Sequence, residues 1–244
     1  MRNLRLDLCY DGTRYKGWQR LANTDNTIQA KLEQTLSRIL GEQVEVTASG
    51  RTDAGTHALG QVVNVHCEST MDCDQILSQL RRYLPEDIGI YSCKNVSPRF
   101  HARLNAVTKT YRYRIWNSEA PCVFERKYVW IQPADLDVDA MSLAAQSFVG
   151  TYDFGAFCSN KVGKKSTVRT IYSFEVCRCG DEIQFTVKGN GFLYNMVRIL
   201  VGTLVEVGAG QRSASQIPEL FECKRENTGI TVPACGLCLM EVTY

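Results

Sequence analysis

The sequence lacks any run of about 18 apolar residues, so no membrane-spanning helix is expected. Its first residues, MRNLRLDLCYDG, alternate apolar and polar types and contain no continuous apolar signal-peptide core. A cytoplasmic protein is therefore expected. Compositional bias is also missing: 44% of residues are hydrophobic and 22% charged, which excludes disordered and collagen-like chains. Neither sign of charge dominates, since 28 basic residues stand against 26 acidic ones for a net charge of +2. The chain has eleven cysteines, and two close-spaced pairs among them are the minimum a structural zinc site usually needs. Cys177-x-Cys179 and Cys235-x-x-Cys238 sit in segments that read as strands, so the cysteines are expected to be free thiols that fill the core.

What is present is enough chain, 244 residues, for one large domain or two small ones. Leu4, Leu6 and Leu8 alternate along an N-terminal strand over residues 2–10. Ile28, Leu32, Leu36 and Ile39 recur at helical spacing between Thr27, a capping residue, and Gly41, a terminating one. Short strands are expected over 44–47, 61–67 and 88–96, and a helix over 74–83 that stops before Pro85. A second set follows: strands over 109–116 and 128–131, a helix over 135–149, and two strands over 171–177 and 182–188 joined by Gly180-Asp181. Helices over 194–207 and 214–221 and a strand over 235–242 complete it. The expected fold class is α+β, with two similar lobes, residues 1–105 and 106–244. The sheet should be largely antiparallel, possibly continuous, and flanked by helices, with a central cleft.

Charge is unevenly distributed. Residues 99–130 carry seven Lys/Arg against two Glu, and residues 161–178 carry five against one. Such segments present a basic face or simply a solvated one.

Three segments need more than packing to explain them. The first is ASGRTDAGTHALG at 48–60, with glycines at 50, 55 and 60 and few apolar anchors. Glycine-rich turns allow positive φ and close approach of a ligand to main chain, and Arg51 and Asp53 are the strong polar groups there. It is not a P-loop, because no Gly-Lys-[Ser/Thr] ending follows. The second is YNMVRILVGTLVEV at 194–207, apolar around most of a helix but with Arg198 inside it. A buried guanidinium needs a carboxylate or a polar cleft, and Asp53 is the carboxylate that best fits, the alternative being that Arg198 reaches solvent. The third is KTYRYR at 109–114, where alternation sets Tyr111 and Tyr113 on one strand face and Arg112 and Arg114 on the other. Spacing alone leaves open whether either tyrosine fills the core or stacks on a base. The loop DGTRYKGWQR at 11–20 interleaves basic and aromatic residues, a mixture that suits phosphates and stacked bases.

Taken together, YDGTRYKGWQR at 10–20, IQAKLEQTL at 28–36, ASGRTDAGTHALGQVV at 48–63, LPEDI at 84–88, FHAR at 100–103, KTYRYRI at 109–115, NGFLYNMVRILVG at 190–202 and GLCL at 236–239 resemble the TruA family of tRNA pseudouridine synthases. The resemblance implies a two-lobed α+β isomerase acting on tRNA. Its substrates would be uridines of the anticodon stem-loop at tRNA positions 38, 39 and 40. It implies a cytoplasmic homodimer that needs no metal and no organic cofactor. It places the catalytic aspartate at Asp53, its salt-bridge partner at Arg198, the uracil-contacting tyrosine at Tyr111, and a residue that holds the flipped nucleotide at Arg51. His57, His66 and His101 are then structural or RNA-contacting. Two departures stand out: the family loop usually has valine where this chain has Thr56, and some members carry two histidines where Tyr194 and Asn195 precede Met196.

The chemistry suits those residue types. Uridine becomes pseudouridine when the N1–C1′ bond breaks, the base turns and C5 bonds to C1′. A carboxylate that stays ionised either attacks C1′ or deprotonates the sugar toward a glycal, and the residues leave both routes open. An aromatic face can hold the uracil while it rotates, and the target base must first leave its stack, at a cost of a few kcal/mol. Affinity for tRNA should fall with salt. A zinc nucleobase deaminase is the rival suggested by His66-Cys67-Glu68 and by Pro233 near Cys235 and Cys238. It fails because an extra alanine separates Pro233 from Cys235 and the two halves lie far apart in the chain. A non-catalytic RNA-binding module is the other rival, but it has no use for an Asp53–Arg198 pair.

Overall fold

The computed structural model describes residues 1–159 and 166–244. The basic stretch at 161–178 therefore lies partly outside the described residues. In chain order the elements are β1 (Arg2–Tyr10), α1 (Ile28–Leu40), β2 (Val46–Ala48), β3 (His57–Cys67), α2 (Cys73–Tyr83), β4 (Ile88–Val96), β5 (Thr108–Trp116), β6 (Trp130–Ile131), α3 (Val138–Ala145), β7 (Gly150–Asp153), β8 (Val168–Cys179), β9 (Glu182–Gly189), α4 (Met196–Gly208) and β10 (Leu237–Thr243). They form two compact units, Met1–Val107 with Cys238–Tyr244, and Thr108–Leu237. The fold class is α+β with mostly antiparallel strand pairing, as the alternating patterns predict.

In the first unit the strand order is β4-β1-β3-β10, with β2 also on β3. Strand β1 runs antiparallel to β3, with Leu4 opposite Val65 and Leu6 opposite Val63. The free edge of β3 is divided: β2 takes Val63–Val65 and β10 pairs in parallel with His57 and Ala58. The leucines at 4, 6 and 8 are fully buried, each alternate position contributing about 1.5–3 kcal/mol through removal from water. Helix α1 begins where Thr27 accepts a hydrogen bond from the Ala30 N–H and ends where Gly41 takes φ 73° and donates to the Ser37 carbonyl. It buries Ile28, Leu32 and Leu36. Helix α2 opens on a capping box between Asp72 and Gln75 and buries Ile76 and Leu80.

In the second unit the order is β5-β9-β8-β7, all antiparallel, with the short β6 parallel to β5. Tyr111, Tyr113 and Ile115 of β5 share the buried face with Ile183, Phe185 and Val187 of β9. Arg114, on the other face, binds Glu182 at 2.5 Å and Glu125 at 2.8 Å, and that guanidinium holds the Glu182 carboxyl below its ordinary pKa. Helix α4 is buried over eleven positions, from Met196 to Gly208.

Several boundaries differ from the sequence expectation. Strand β3 starts four residues early, at His57, and β8 reaches from Val168 to Cys179. The helix expected over 135–149 is shorter, because Asp137 caps it by accepting from the Ala140 N–H and its end tightens into a 3-10 turn at Gln146–Phe148. The helix expected over 214–221 is two 3-10 turns, Ala214–Gln216 and Pro218–Glu222, divided where Pro218 supplies no N–H. Among the described residues no helix is long and apolar enough to cross a membrane.

Candidate active site

Asp53 lies on the connection between β2 and β3, in the first unit. The glycine pattern acts locally: Gly55 takes φ 77°, which closes a turn in which the Thr56 N–H donates to the Asp53 carbonyl at 3.1 Å. Both ends of the connection are fixed. Ser49 donates its N–H to the Val62 carbonyl at 2.8 Å and its hydroxyl to Gln61 Oε1 at 2.7 Å. The Gln61 amide returns a bond to the Gly50 carbonyl at 3.0 Å. Ser49, Thr52, Thr56, His57 and Gln61 are all buried, Asp53 is half-buried and Arg51 is exposed. The connection is thus anchored at its buried positions, with Asp53 less buried and Arg51 exposed.

The 11–20 loop adds to these anchors. The Trp18 N–H donates to the Thr52 carbonyl at 3.0 Å, and the Tyr10 hydroxyl meets Thr52 Oγ1 at 2.8 Å. Burial pushes the Tyr10 phenol far above its ordinary pKa, so its proton stays in this network. Trp18 is 2% exposed and Tyr15 is 5% exposed, with the Tyr15 hydroxyl on Asp87. Arg14 binds Asp87 through two nitrogens, and Arg20 binds Glu33. Trp18 and Tyr15 are therefore buried and offer no free face for stacking a base, whereas Arg14, Lys16 and Arg20 of the same loop are exposed.

The second unit positions Tyr111 and Arg198. Tyr111 stands on β5 opposite Val187, 7% exposed, with its ring edge-on to Phe192 at 5.3 Å between centroids. Tyr113, two residues on, is wholly buried and its hydroxyl donates to the Pro233 carbonyl at 2.7 Å. Burial raises its pKa strongly. Both tyrosines are therefore buried, Tyr113 with its hydroxyl on the Pro233 carbonyl and Tyr111 with its ring against Phe192.

Arg198 is half-buried in the first turn of α4. Its Nε donates to the Val232 carbonyl at 2.7 Å and its Nη1 to Asn195 Oδ1 at 2.9 Å. Asn195 precedes the helix with φ 61°, the one non-glycine residue with positive φ among those described. It makes no side-chain cap; its side chain instead links Arg198 to Ser159 Oγ at 3.0 Å. Asn195, Phe192 and His57 are neighbours of the candidate residues that sequence reasoning did not assign to the site. Among the described residues no three His, Cys, Asp or Glu side chains gather as metal ligands.

Comparison with known proteins identifies what the chain is similar to. A family model described as tRNA pseudouridine synthase matches residues 9–105 and 144–244. The chain is 46% identical over 245 residues to the tRNA pseudouridine synthase A 2 of Bacillus cereus (strain ZK / E33L), covering all of both chains. It is 45% identical to the tRNA pseudouridine synthase A of Brevibacillus brevis and 44% identical to that of Acetivibrio thermocellus, again over full lengths. Among solved structures, a chain in a crystal structure of a Cbf5-Nop10-Gar1 complex aligns at a TM-score of 0.38 and 12% identity, over 83% of this chain and 45% of that one.

Proposed function

This chain belongs to the tRNA pseudouridine synthase family, and from that premise we propose that it isomerises uridine to pseudouridine at positions 38, 39 and 40 of the tRNA anticodon stem-loop, with Asp53 as the catalytic carboxylate. The reaction redistributes bonds within one nucleotide: N1–C1′ breaks, C5–C1′ forms, and the C5 proton passes to solvent while N1 gains one. No electrons enter or leave, so neither an oxidant nor a reductant is required. Asp53 starts the sequence at the sugar, either by bonding to C1′ as the uracil departs or by removing a sugar proton.

The observation that carries the proposal is the setting of Asp53. It is a half-buried carboxylate on a connection whose Ser49, Thr52, Thr56 and His57 are buried. In this reading Arg198 forms a salt bridge with Asp53, and a partnered carboxylate stays ionised where water is excluded. Tyr111, its ring seated against Phe192, supports the uracil while it turns, and Arg51 helps keep the nucleotide out of its stack. The enzyme acts in the cytoplasm as a homodimer.

The test is tritium release from tRNA carrying tritium at uridine C5, followed by mapping of pseudouridine in the product. Asp53→Ala should lower release by at least about a thousandfold while tRNA binding persists. Release at the wild-type rate by that variant would remove Asp53 from the reaction, and pseudouridine at positions outside 38–40 would correct the substrate assignment. Sedimentation of the purified protein at a single-chain mass would refute the dimer.

A further inference from the structure

We infer that His57 is a positioning residue for Asp53, acting by accepting the Gly12 N–H at its imidazole Nδ1. The inference rests on the reading of Asp53 as the catalytic carboxylate. His57 is the first residue of β3, four positions after Asp53 and 5% exposed. Its Nδ1 lies 3.1 Å from the Gly12 nitrogen and 3.2 Å from Asp11 Oδ1. That carboxylate oxygen already accepts from the Thr13 N–H at 2.9 Å and from the Thr13 hydroxyl at 2.5 Å. The Gly12 N–H points at Nδ1, and an Nδ1 that accepts this bond carries no proton, which leaves the ring proton to Nε2.

The bond closes a brace around the Asp53 turn. Gly12 lies against Thr56 so closely that a Cβ there would come within 2.0 Å of the Thr56 carbonyl oxygen. Gly17, at φ 92°, lies against Thr52, where a Cβ would come within 2.9 Å of the carbonyl oxygen. Trp18 then bonds Thr52 through the main chain. Asp53 is therefore spanned by two contacts, one at residue 52 and one at residues 56 and 57, both made by the 11–18 segment. That segment is itself fixed, since the Asp11 N–H donates to the Asp87 carbonyl at 3.0 Å and the Ile28 N–H to the Gly17 carbonyl at 3.3 Å. His57 supplies a side-chain acceptor that ties the far end of the turn to the brace.

Losing that tie lets the Asp53 carboxylate drift, and a displacement of about 1 Å at a reacting group costs on the order of a hundredfold in rate. The test is single-turnover tritium release under saturating enzyme, with tRNA dissociation constants and thermal unfolding measured alongside. His57→Leu should slow the chemical step about a hundredfold with tRNA affinity within about twofold of wild type. His57→Asn, whose amide oxygen reaches about as far as Nδ1, should recover the rate to within severalfold. A rate for His57→Leu that falls only with the folded fraction, or a His57→Asn as slow as His57→Leu, overturns the inference. If Asp53→Asn is inactive while His57→Leu is normal, the positioning role fails and the catalytic reading stands; if Asp53→Asn is fully active, both fail. A measurement on the unmodified enzyme guards against misfolded variants: imidazole nitrogen resonances should show Nδ1 without a proton at pH 7, and a protonated Nδ1 would exclude the bond from Gly12.

Discussion

In the first unit Asp53 stands on a segment without regular structure, and most of what holds it is main chain: the Thr56-to-Asp53 turn, the Trp18 N–H on Thr52, and two glycines pressed against carbonyl groups. In the second unit Arg198 stands in a regular helix buried on nearly every side, yet two bonds on its guanidinium are to Val232 and Asn195, outside the helix interior. On the loop, glycine lets another segment of main chain lie directly against the residues flanking Asp53. The two regions should consequently respond to different substitutions, the first to added atoms on the main chain and the second to changes in side-chain donors and acceptors.

The largest effect is expected at Gly12. An added methyl group meets the Thr56 carbonyl, so Gly12→Ala should destabilise the protein by about 3 kcal/mol or more in urea unfolding and depress turnover beyond the loss of folded protein. Tyr10→Phe, which removes only a hydroxyl from Thr52 and Gln61, should cost about 1 kcal/mol. Equal losses in the two variants would break the contrast, because side chains would then hold the Asp53 turn as much as main chain does.

The second unit should show the reverse. Arg198→Lys keeps the charge but offers one ammonium where two guanidinium nitrogens now reach separate acceptors. Turnover should fall about tenfold or more, with stability reduced by roughly 1–2 kcal/mol as an acceptor is left without its donor. Asn195→Gly sharpens the point. Relief of the left-handed backbone at φ 61° offsets the lost bonds to Arg198 and Ser159, so stability should stay within about 1 kcal/mol of wild type. Turnover should still fall, by up to about tenfold, because one anchor of the guanidinium is gone. Steady-state kinetics beside thermal unfolding separate the two outcomes.

The same contrast governs what the sequence discloses. Helix α1 was readable end to end, since Thr27, Gly41 and the apolar spacing each act through neighbours in the chain. Arg198 stood out because it interrupts the apolar pattern of a helix, whereas strand alternation treats Tyr111 and Tyr113 alike and only the family resemblance singles out Tyr111. The first four residues of β3 were not readable. Gly60 looks like loop composition, but it is a glycine because β10 lies so near that a Cβ would come within 2.3 Å of the Met240 carbonyl oxygen. The 11–20 loop misled for a related reason: its tryptophan and tyrosine have the composition of an RNA surface, and only their distant partners, Thr52 and Asp87, place them inside. His57 and Asn195 escaped notice because each acts on a residue whose importance depends on contacts made elsewhere. Short-range chemistry is written in spacing; long-range contact is written only in the requirement for small residues, which reads the same as flexibility.

The smallest effect tests how finely the Asp53 connection is packed. Thr56 is 1% exposed, and its hydroxyl has no hydrogen-bond partner among the described residues. Its main chain serves the turn through the Thr56 N–H, so the hydroxyl has no part in holding Asp53. A buried hydroxyl without a partner costs about 1–3 kcal/mol relative to a group of the same shape that needs none. Valine has that shape and the same branching at Cβ, so the backbone geometry next to Gly12 is preserved. Thr56→Val should therefore stabilise the protein by about 1 kcal/mol in urea unfolding and leave tritium release unchanged. A loss of stability would mean that the hydroxyl is hydrogen-bonded in solution. A loss of turnover at unchanged stability would mean that the Thr56 hydroxyl, too, sets the position of Asp53.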